Sequence, residues 1–138
     1  MHASNMIHRD MKVENIMVEI SQSNEEHNCS NITCKITDFG FACMMEKNER
    51  KKTLSVGSPL YMAPEVLNYN YGYKADIWSL GVLTYMLLCD GEAPFQGKDN
   101  KEIFTKIRYY PYNKECLETY TKEGKYVIDF LSRCLNRN

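Results

Sequence analysis

The sequence predicts a mainly α-helical chain that carries one small β-hairpin near its start. Two short β-rich runs, residues 15–20 and 32–37, predict the hairpin. An apolar run at 76–89 predicts a long buried helix, and an apolar stripe at 127–135 predicts an amphipathic helix near the end. No internal repeat interrupts this pattern, so we treat residues 1–138 as one unit.

The hairpin prediction rests on alternation. In the second run, apolar Ile32, Cys34 and Ile36 alternate with polar side chains, as in a strand with two unlike faces. The segment between the runs, residues 21–31, is polar and rich in asparagine. We therefore expect a long exposed loop between two paired strands.

Three helices follow from periodicity and capping. The run 76–89 is apolar almost all round, which predicts a helix buried on every side, and Asp90-Gly91 ends it. Asp99 and Glu102 have the spacing of a capping box and predict the start of a short amphipathic helix. The last helix is predicted by a stripe of five apolar residues: Val127, Ile128, Leu131, Cys134 and Leu135.

Composition limits the classes of function. The chain has 138 residues, of which 43% are hydrophobic and 25% charged, and its formal net charge is -1. These values fit one globular domain or part of one, and they exclude disorder and collagen-like repetition. The near-neutral charge gives no support for nucleic-acid binding or for electrostatic attachment to a membrane. The longest nearly apolar run, 80–89, is too short for a membrane span, which needs about 20 residues.

The cysteines leave two alternatives open. None of the six forms a CxxC pair or a zinc-finger spacing, so we expect no structural metal site: Cys29, Cys34, Cys43, Cys89, Cys116 and Cys134. Their even number, with glycosylation sequons at 28–30 and 31–33, permits a secreted disulfide-linked glycoprotein. The first residues lack the pattern of a secretory signal. We therefore expect free thiols and a cytoplasmic location.

Residues 8–15, His-Arg-Asp-Met-Lys-Val-Glu-Asn, combine side chains suited to phosphoryl transfer. An Asp such as Asp10 can accept the proton of an attacking hydroxyl, and a Lys such as Lys12 can neutralise charge on the moving phosphoryl group. The carbonyl oxygen of Asn15 suits Mg²⁺, which prefers hard oxygen ligands. Each residue alone is common in turns and on surfaces, so the weight of the argument lies in their combination.

With these residues the sequence resembles the eukaryotic protein kinase family, whose catalytic loop reads H-R-D-L-x-x-x-N. Asp38-Phe39-Gly40 matches the metal-binding D-F-G, and Ala63-Pro64-Glu65 matches A-P-E. Residues 76–81 resemble D-x-W-S-x-G at the start of the central helix, and Pro94-Phe95 follows in order. The resemblance implies the C-terminal lobe of a kinase, helical with a small hairpin beside the catalytic loop.

The resemblance also implies roles for individual residues. Asp10 would be the catalytic base, Lys12 would contact the γ-phosphate, and Asn15 and Asp38 would hold two Mg²⁺ ions, with ATP and Mg²⁺ as cofactors. Lys12 is typical of the serine/threonine branch, in which a residue at the position of Ser58 bridges the base and this lysine. The implied substrate is a protein serine or threonine.

Regulation and substrate choice give two further hypotheses. In family members the residue matching Arg9 pairs with a phosphate on the activation loop, here residues 41–62. The usual acceptor position holds Leu54, which leaves Thr53 or Ser55 as alternatives.

Glu14 either contacts an arginine of the substrate, as in some basophilic kinases, or is an exposed loop carboxylate.

The resemblance also implies two structural roles near the metal-binding loop. Gly40 would give the metal-binding loop its freedom to turn. Phe39 would pack beside His8.

The family's Gly-rich loop, strand Lys and helix Glu are not among the 138 residues, so the resemblance implies that the N-terminal lobe is absent. We therefore expect the chain to be inactive alone. A helix outside the chain would cover apolar faces of the central and last helices. Glu65 would lack the arginine that usually pairs with it.

Residues 57–65, 76–89 and 91–95 look most like the calcium/calmodulin-dependent and calcium-dependent kinase group, whose regulatory segment would lie outside the chain. A second hypothesis is a non-catalytic binding module that docks a substrate or a kinase partner. The intact set of Asp10, Lys12, Asn15 and Asp38 favours the enzyme, because a docking module has no need of all four.

Overall fold

The computed structural model describes residues 1–21, 31–46, 56–117 and 124–137. These residues are mainly helical, as predicted, with three α-helices and four short strands. The helices are α1 (Lys74–Leu88), α2 (Asn100–Tyr109) and α3 (Gly124–Cys134), and the strands are β1 (Met6–Ile7), β2 (Ile16–Ser21), β3 (Asn31–Ile36) and β4 (Cys43–Met44). Within these ranges, no helix has the length and apolar character needed to cross a membrane.

The predicted hairpin is confirmed. Strands β2 and β3 pair antiparallel, with Ile16 opposite Ile36 and Ser21 opposite Asn31. Both ends of the predicted loop 21–31 belong to these strands, and residues 22–30 lie outside the described residues. Sequence analysis did not predict the second ladder, in which β1 pairs antiparallel with β4, because strands of two residues are too short to show alternation.

Helix α1 runs through the main core. Trp78 and Val82 are almost fully buried, and the Trp78 ring stacks on Phe95 with centroids 5.8 Å apart. The prediction that this helix is buried on every side is wrong, because Ile77 is 41% and Leu87 69% exposed. Although α1 is almost entirely apolar, only some of its sides are packed against the core.

Helix α3 packs against the middle of α1. A Cβ added to Gly81 would lie 2.6 Å from the Cβ of Cys134, so the close approach of the two helices requires glycine. The predicted apolar stripe makes this contact. Leu131 and Leu135 are buried, and Val127 is half-buried.

Helix α2 is capped at both ends. The Asp99 carboxylate accepts a hydrogen bond from Glu102 N at 2.8 Å, which confirms the predicted cap. At the other end, Arg137 Nε donates to the carbonyl of Ile107 at 2.7 Å, and its guanidinium lies over the Phe95 ring. The caps fix the helix so that its buried face, which includes Ile107, completes the core.

The expectation that the cysteines are free is wrong for one pair. Cys89, directly after α1, forms a disulfide with Cys116, 27 residues further along the chain. Their wide separation in sequence hid this pairing from spacing rules. Cys34, Cys43 and Cys134 are free, and Cys29 lies outside the described residues.

Candidate active site

Residues 8–15 form the loop between β1 and β2, and its last three residues, Val13–Asn15, make a 3₁₀ turn that leads into β2. Asp10 and Asn15 are only 4% and 5% exposed. A buried carboxylate is stable only when charged or hydrogen-bonding groups compensate for its lost hydration. The partners of Asp10 therefore define the centre of the site.

Three of the predicted site residues meet at the Asp10 carboxylate. Its Oδ1 accepts hydrogen bonds from the backbone N and the Oγ of Ser58, at 3.0 and 3.1 Å. Its Oδ2 lies 2.7 Å from Lys12 Nζ. Lys12 Nζ also lies 3.3 Å from Ser58 Oγ, so Asp10, Lys12 and Ser58 form a closed triangle.

The electrostatics keep Asp10 and Lys12 charged at neutral pH. Burial by itself would raise the pKa of Asp10, but hydrogen bonds from Lys12 and Ser58 outweigh it and hold the pKa below its ordinary value. The hydrogen bond that Lys12 donates to Asp10 also raises the pKa of Lys12. The site therefore contains an ionised carboxylate that can accept a proton, beside a fixed positive charge.

Asn15 presents an oxygen to the site. Its Nδ2 donates to the backbone oxygen of Asp10 at 2.9 Å and to Asp10 Oδ2 at 3.3 Å. With the nitrogen so engaged, the amide oxygen accepts no hydrogen bond from the described residues and is available to a hard cation. The backbone oxygen of Asn15 accepts hydrogen bonds from Thr37 N and Oγ1, which ties the residue before Asp38 to Asn15.

Asp38 is exposed and has a left-handed backbone, with φ of 56°. Its charge contributes to the raised pKa of Lys12, so the two side chains share one electrostatic environment. The expectation that Gly40 supplies the turn needs correction, because Asp38 has the positive φ. A Cβ added to Gly40 would lie 3.1 Å from Asp38 Oδ1, so the exposed Asp38 side chain would have to shift by a few tenths of an ångström.

The oxygens of Asn15 and Asp38 fit Mg²⁺ in chemical type. In the described ranges, no group of three or more His, Cys, Asp and Glu residues could hold a metal ion. Mg²⁺ is commonly held by one or two carboxylates together with substrate phosphates and waters, so two protein donors are compatible with it.

The expected packing of Phe39 beside His8 is confirmed. The two rings meet edge to face with centroids 5.0 Å apart. His8 is fully buried, and its Nε2 lies 3.0 Å from the carbonyl of Thr37. Phe39 nevertheless remains 47% exposed, so its ring covers the site from one side only.

Arg9 holds the start of the predicted activation loop. Its Nε donates to the carbonyl of Phe41 at 2.5 Å, and its Nη1 donates to the Tyr71 hydroxyl at 3.2 Å. Thr53 and Ser55, the two candidate phosphate acceptors, lie outside the described residues. The pairing of Arg9 with a phosphate therefore stays a prediction.

Gly57 brings the segment that carries Ser58 against the catalytic loop. Its φ of 102° is in the left-handed region, and an added Cβ would lie 2.5 Å from the carbonyl oxygen of Arg9. Any larger residue would push this segment away from the loop. Gly57 therefore makes the contact between Ser58 and Asp10 possible.

Asp76, at the start of α1, is a site residue to which sequence analysis assigned no role. It is 4% exposed, and its two carboxylate oxygens accept the backbone N–H groups of His8 and Arg9, both at 2.9 Å. His2 Nε2 lies 2.7 Å from Asp76 Oδ2. One feature of the sequence could have indicated this role. Asp76 is a lone carboxylate in a nearly apolar helix, and a carboxylate buried there needs hydrogen-bond partners.

Two further predicted residues make no hydrogen bond or ion pair with this cluster in the part of the chain that the structure describes. Glu14 is exposed on the 3₁₀ turn Val13–Asn15, so its contact with a substrate arginine stays a prediction. Glu65 is half-buried and makes no ion pair with the residues that the structure describes.

Comparison with known proteins identifies close similarities. The model of the "Protein kinase domain" family matches residues 1–138. Serine/threonine-protein kinase 33 of Bos taurus is 42% identical over 112 residues, covering 78% of this chain and 22% of its own length. Calcium-dependent protein kinase 5 of Plasmodium falciparum is 37% identical and CDPK-related kinase 3 of Arabidopsis thaliana 38% identical, each over 139 residues. These two alignments cover 99% of this chain and 22% and 21% of the relatives. The chain thus spans about a fifth of the length of the curated relatives it matches.

The role of Asp76 can be tested by its removal. Asp76→Ala leaves the N–H groups of His8 and Arg9 without an acceptor, and each such loss costs about 1–3 kcal/mol. We expect urea unfolding to show a loss of about 2–6 kcal/mol in the free energy of unfolding. Asp99→Ala, which removes an exposed helix cap, should cost only about 1 kcal/mol. Equal losses for the two variants would contradict the anchoring role.

The charge state of Asp10 predicts a pH dependence. Because the pKa of Asp10 is lower in the folded chain than its ordinary value of 3.8, the ionised carboxylate stabilises the fold above that pH. The contribution is lost as the pH falls through the folded pKa. Unfolding free energies of the natural protein and Asp10→Asn, compared from neutral to acid pH, should therefore converge in acid. A difference that does not change with pH would show that the charge of Asp10 is not stabilising.

Proposed function

The chain belongs to the protein kinase family, and on that premise we propose that its residues perform phosphoryl transfer in a serine/threonine protein kinase. The reaction moves the γ-phosphoryl group of Mg-ATP to a Ser or Thr hydroxyl of a protein. The observation that carries this proposal is the buried, ionised Asp10 carboxylate in contact with Lys12, Asn15 and Ser58. The serine/threonine kinases among the relatives support the same class of substrate.

Asp10 orients the attacking group. Its carboxylate accepts a hydrogen bond from the substrate hydroxyl and receives the proton as that oxygen forms a bond to the γ-phosphorus. The bond from this phosphorus to the bridging oxygen breaks, and ADP leaves with the electron pair. Lys12 neutralises negative charge on the transferred group from its position beside Asp10.

Asn15 and Asp38 would hold Mg²⁺ through their side-chain oxygens. Bound Mg²⁺ neutralises charge on the phosphates of ATP. Asn15 has a second function. Its amide nitrogen donates hydrogen bonds to Asp10, so the residue that would bind Mg²⁺ is joined directly to the proposed base. One hydrogen-bonded unit therefore positions both the Mg²⁺ ligand and the base.

Ser58 positions the base with respect to the protein substrate. It bonds Asp10 through both backbone and side chain, and Pro59–Tyr61 directly after it forms a 3₁₀ turn. A substrate segment bound against this turn would place its hydroxyl near Asp10. The serine hydroxyl, shared with Lys12, keeps both charges at a fixed separation.

The isolated 138-residue chain is expected to transfer no phosphate. The 138 residues include no Gly-rich phosphate loop, no strand Lys and no helix Glu, and the family uses these groups to hold ATP. We therefore propose the activity for a protein in which these residues act together with such groups. Because two of the relatives are named as calcium-dependent or CDPK-related kinases, control by calcium through a segment outside these residues forms part of the proposal.

The base is tested by Asp10→Asn in the full-length protein, assayed with Mg-ATP and a serine peptide. Loss of a general base lowers kcat by about 10²–10⁴-fold, and we expect this loss in a protein that stays folded at neutral pH, with only the destabilisation that removal of the Asp10 charge brings. Asp99→Asn is the matched control, since Asn is also a good helix cap and Asp99 is remote from the site. A folded Asp10→Asn protein with natural kcat would contradict the mechanism and favour the non-catalytic binding module.

The proposed contact of Glu14 with substrate arginine predicts a change in substrate preference. Glu14→Gln should raise KM severalfold for peptides with an arginine near the acceptor serine and leave KM for arginine-free peptides unchanged. Glu19→Gln, which alters an exposed carboxylate on the hairpin, should change neither value. An unaltered preference for arginine in Glu14→Gln would show that Glu14 is only an exposed loop carboxylate.

A further inference from the structure

The Cys89–Cys116 disulfide joins two elements remote from the active site. Cys89 lies at the C-terminal end of α1, and Cys116 lies in the 3₁₀ turn Glu115–Leu117. Their Cα atoms are 5.6 Å apart, inside the range of about 4.4–6.8 Å that disulfides span. The other cysteines that the structure describes are free, so sulfur pairing here is selective.

The two sulfur-bearing residues differ in access to solvent. Cys89 is 4% exposed and belongs to a small core with Tyr85, Leu117 and Leu131. Cys116 is half-buried at the edge of this core. Because exchange requires direct attack of a thiolate on one sulfur, a dissolved thiol reaches Cys116 before it reaches Cys89.

We propose that the Cys89–Cys116 pair is a site of reversible thiol–disulfide exchange with small thiols of the glutathione class. The thiolate attacks Cys116 Sγ, a mixed disulfide forms, and the protein disulfide breaks with Cys89 leaving as a thiolate that takes a proton from water. A second small thiolate attacks the mixed disulfide and releases Cys116. Overall, two small thiols become one small disulfide while the protein gains two thiols, and the reverse reaction oxidises the pair.

The exchange is expected to change stability and to leave the phosphoryl-transfer groups in place. The disulfide closes a loop of 27 residues, which lowers the entropy of the unfolded chain. Asp76, which holds the catalytic loop, lies 13 residues before Cys89 on α1. This spacing corresponds to about 20 Å along the helix.

The experiment equilibrates the full-length protein in buffers of varied reduced-to-oxidised glutathione ratio, traps thiols by alkylation, and quantifies Cys89 and Cys116 by mass spectrometry. We expect the pair to change from disulfide to dithiol within this range, with a melting temperature several degrees higher in the oxidised form. Two single variants compare the two sulfurs. We expect the glutathione adduct to form faster on Cys116 in the Cys89→Ser variant than on Cys89 in the Cys116→Ser variant.

Matched variants separate this site from the other thiols. Cys34→Ser removes an exposed free cysteine and should alter neither the redox equilibrium of the pair nor the difference in melting temperature. A pair that stays a dithiol in the most oxidising buffer, or a disulfide in the most reducing one, would overturn the proposal. Faster adduct formation on Cys89 would overturn the assignment of the attacked sulfur. These readouts need no kinase assay, so failure here is distinct from failure of the proposed function.

Discussion

The carboxylate of Asp76 ties the catalytic loop to the central helix, and the geometry of the site depends on this tie. Two consecutive backbone N–H groups, of His8 and Arg9, end on its two oxygens, and Asp10 follows directly. Burial of an unpaired carboxylate would be strongly unfavourable, so the loop must adopt the conformation that satisfies it. The left-handed φ of Arg9, 71°, is one consequence of the path the loop takes.

Further contacts to Asp10 depend on the position of that loop. Gly57 lies against the carbonyl of Arg9, which places Ser58 on Asp10, and the side chain of Asn15 returns to Asp10 from the other direction. Lys12 supplies the compensating charge. The segments expected to bind the protein substrate and the metal therefore share one buried carboxylate, so displacement of either segment would also change the environment of the base.

Helix α1 supports the candidate site, the core and the disulfide in different parts of its length. Its first turn holds the catalytic loop through Asp76, and its middle packs on α3 through Gly81. Its last residues lead to Cys89 and the disulfide. Because Cys89 lies 13 residues beyond Asp76, about 20 Å along the helix, the two ends can be altered separately.

The order of residues alone predicts what depends on near neighbours in the chain. The hairpin follows from the alternation around Cys34, the α2 cap from the spacing of Asp99 and Glu102, and the active-site residues from the short motifs around Asp10 and Asp38. Contacts between residues far apart in the chain were decided by the tertiary structure. The carboxylate that anchors the loop is 68 residues from His8, and the cysteine that pairs with Cys89 is 27 residues away. Local patterns record periodicity and capping, whereas pairings over such distances are set by which surfaces pack together, and only the folded chain determines that.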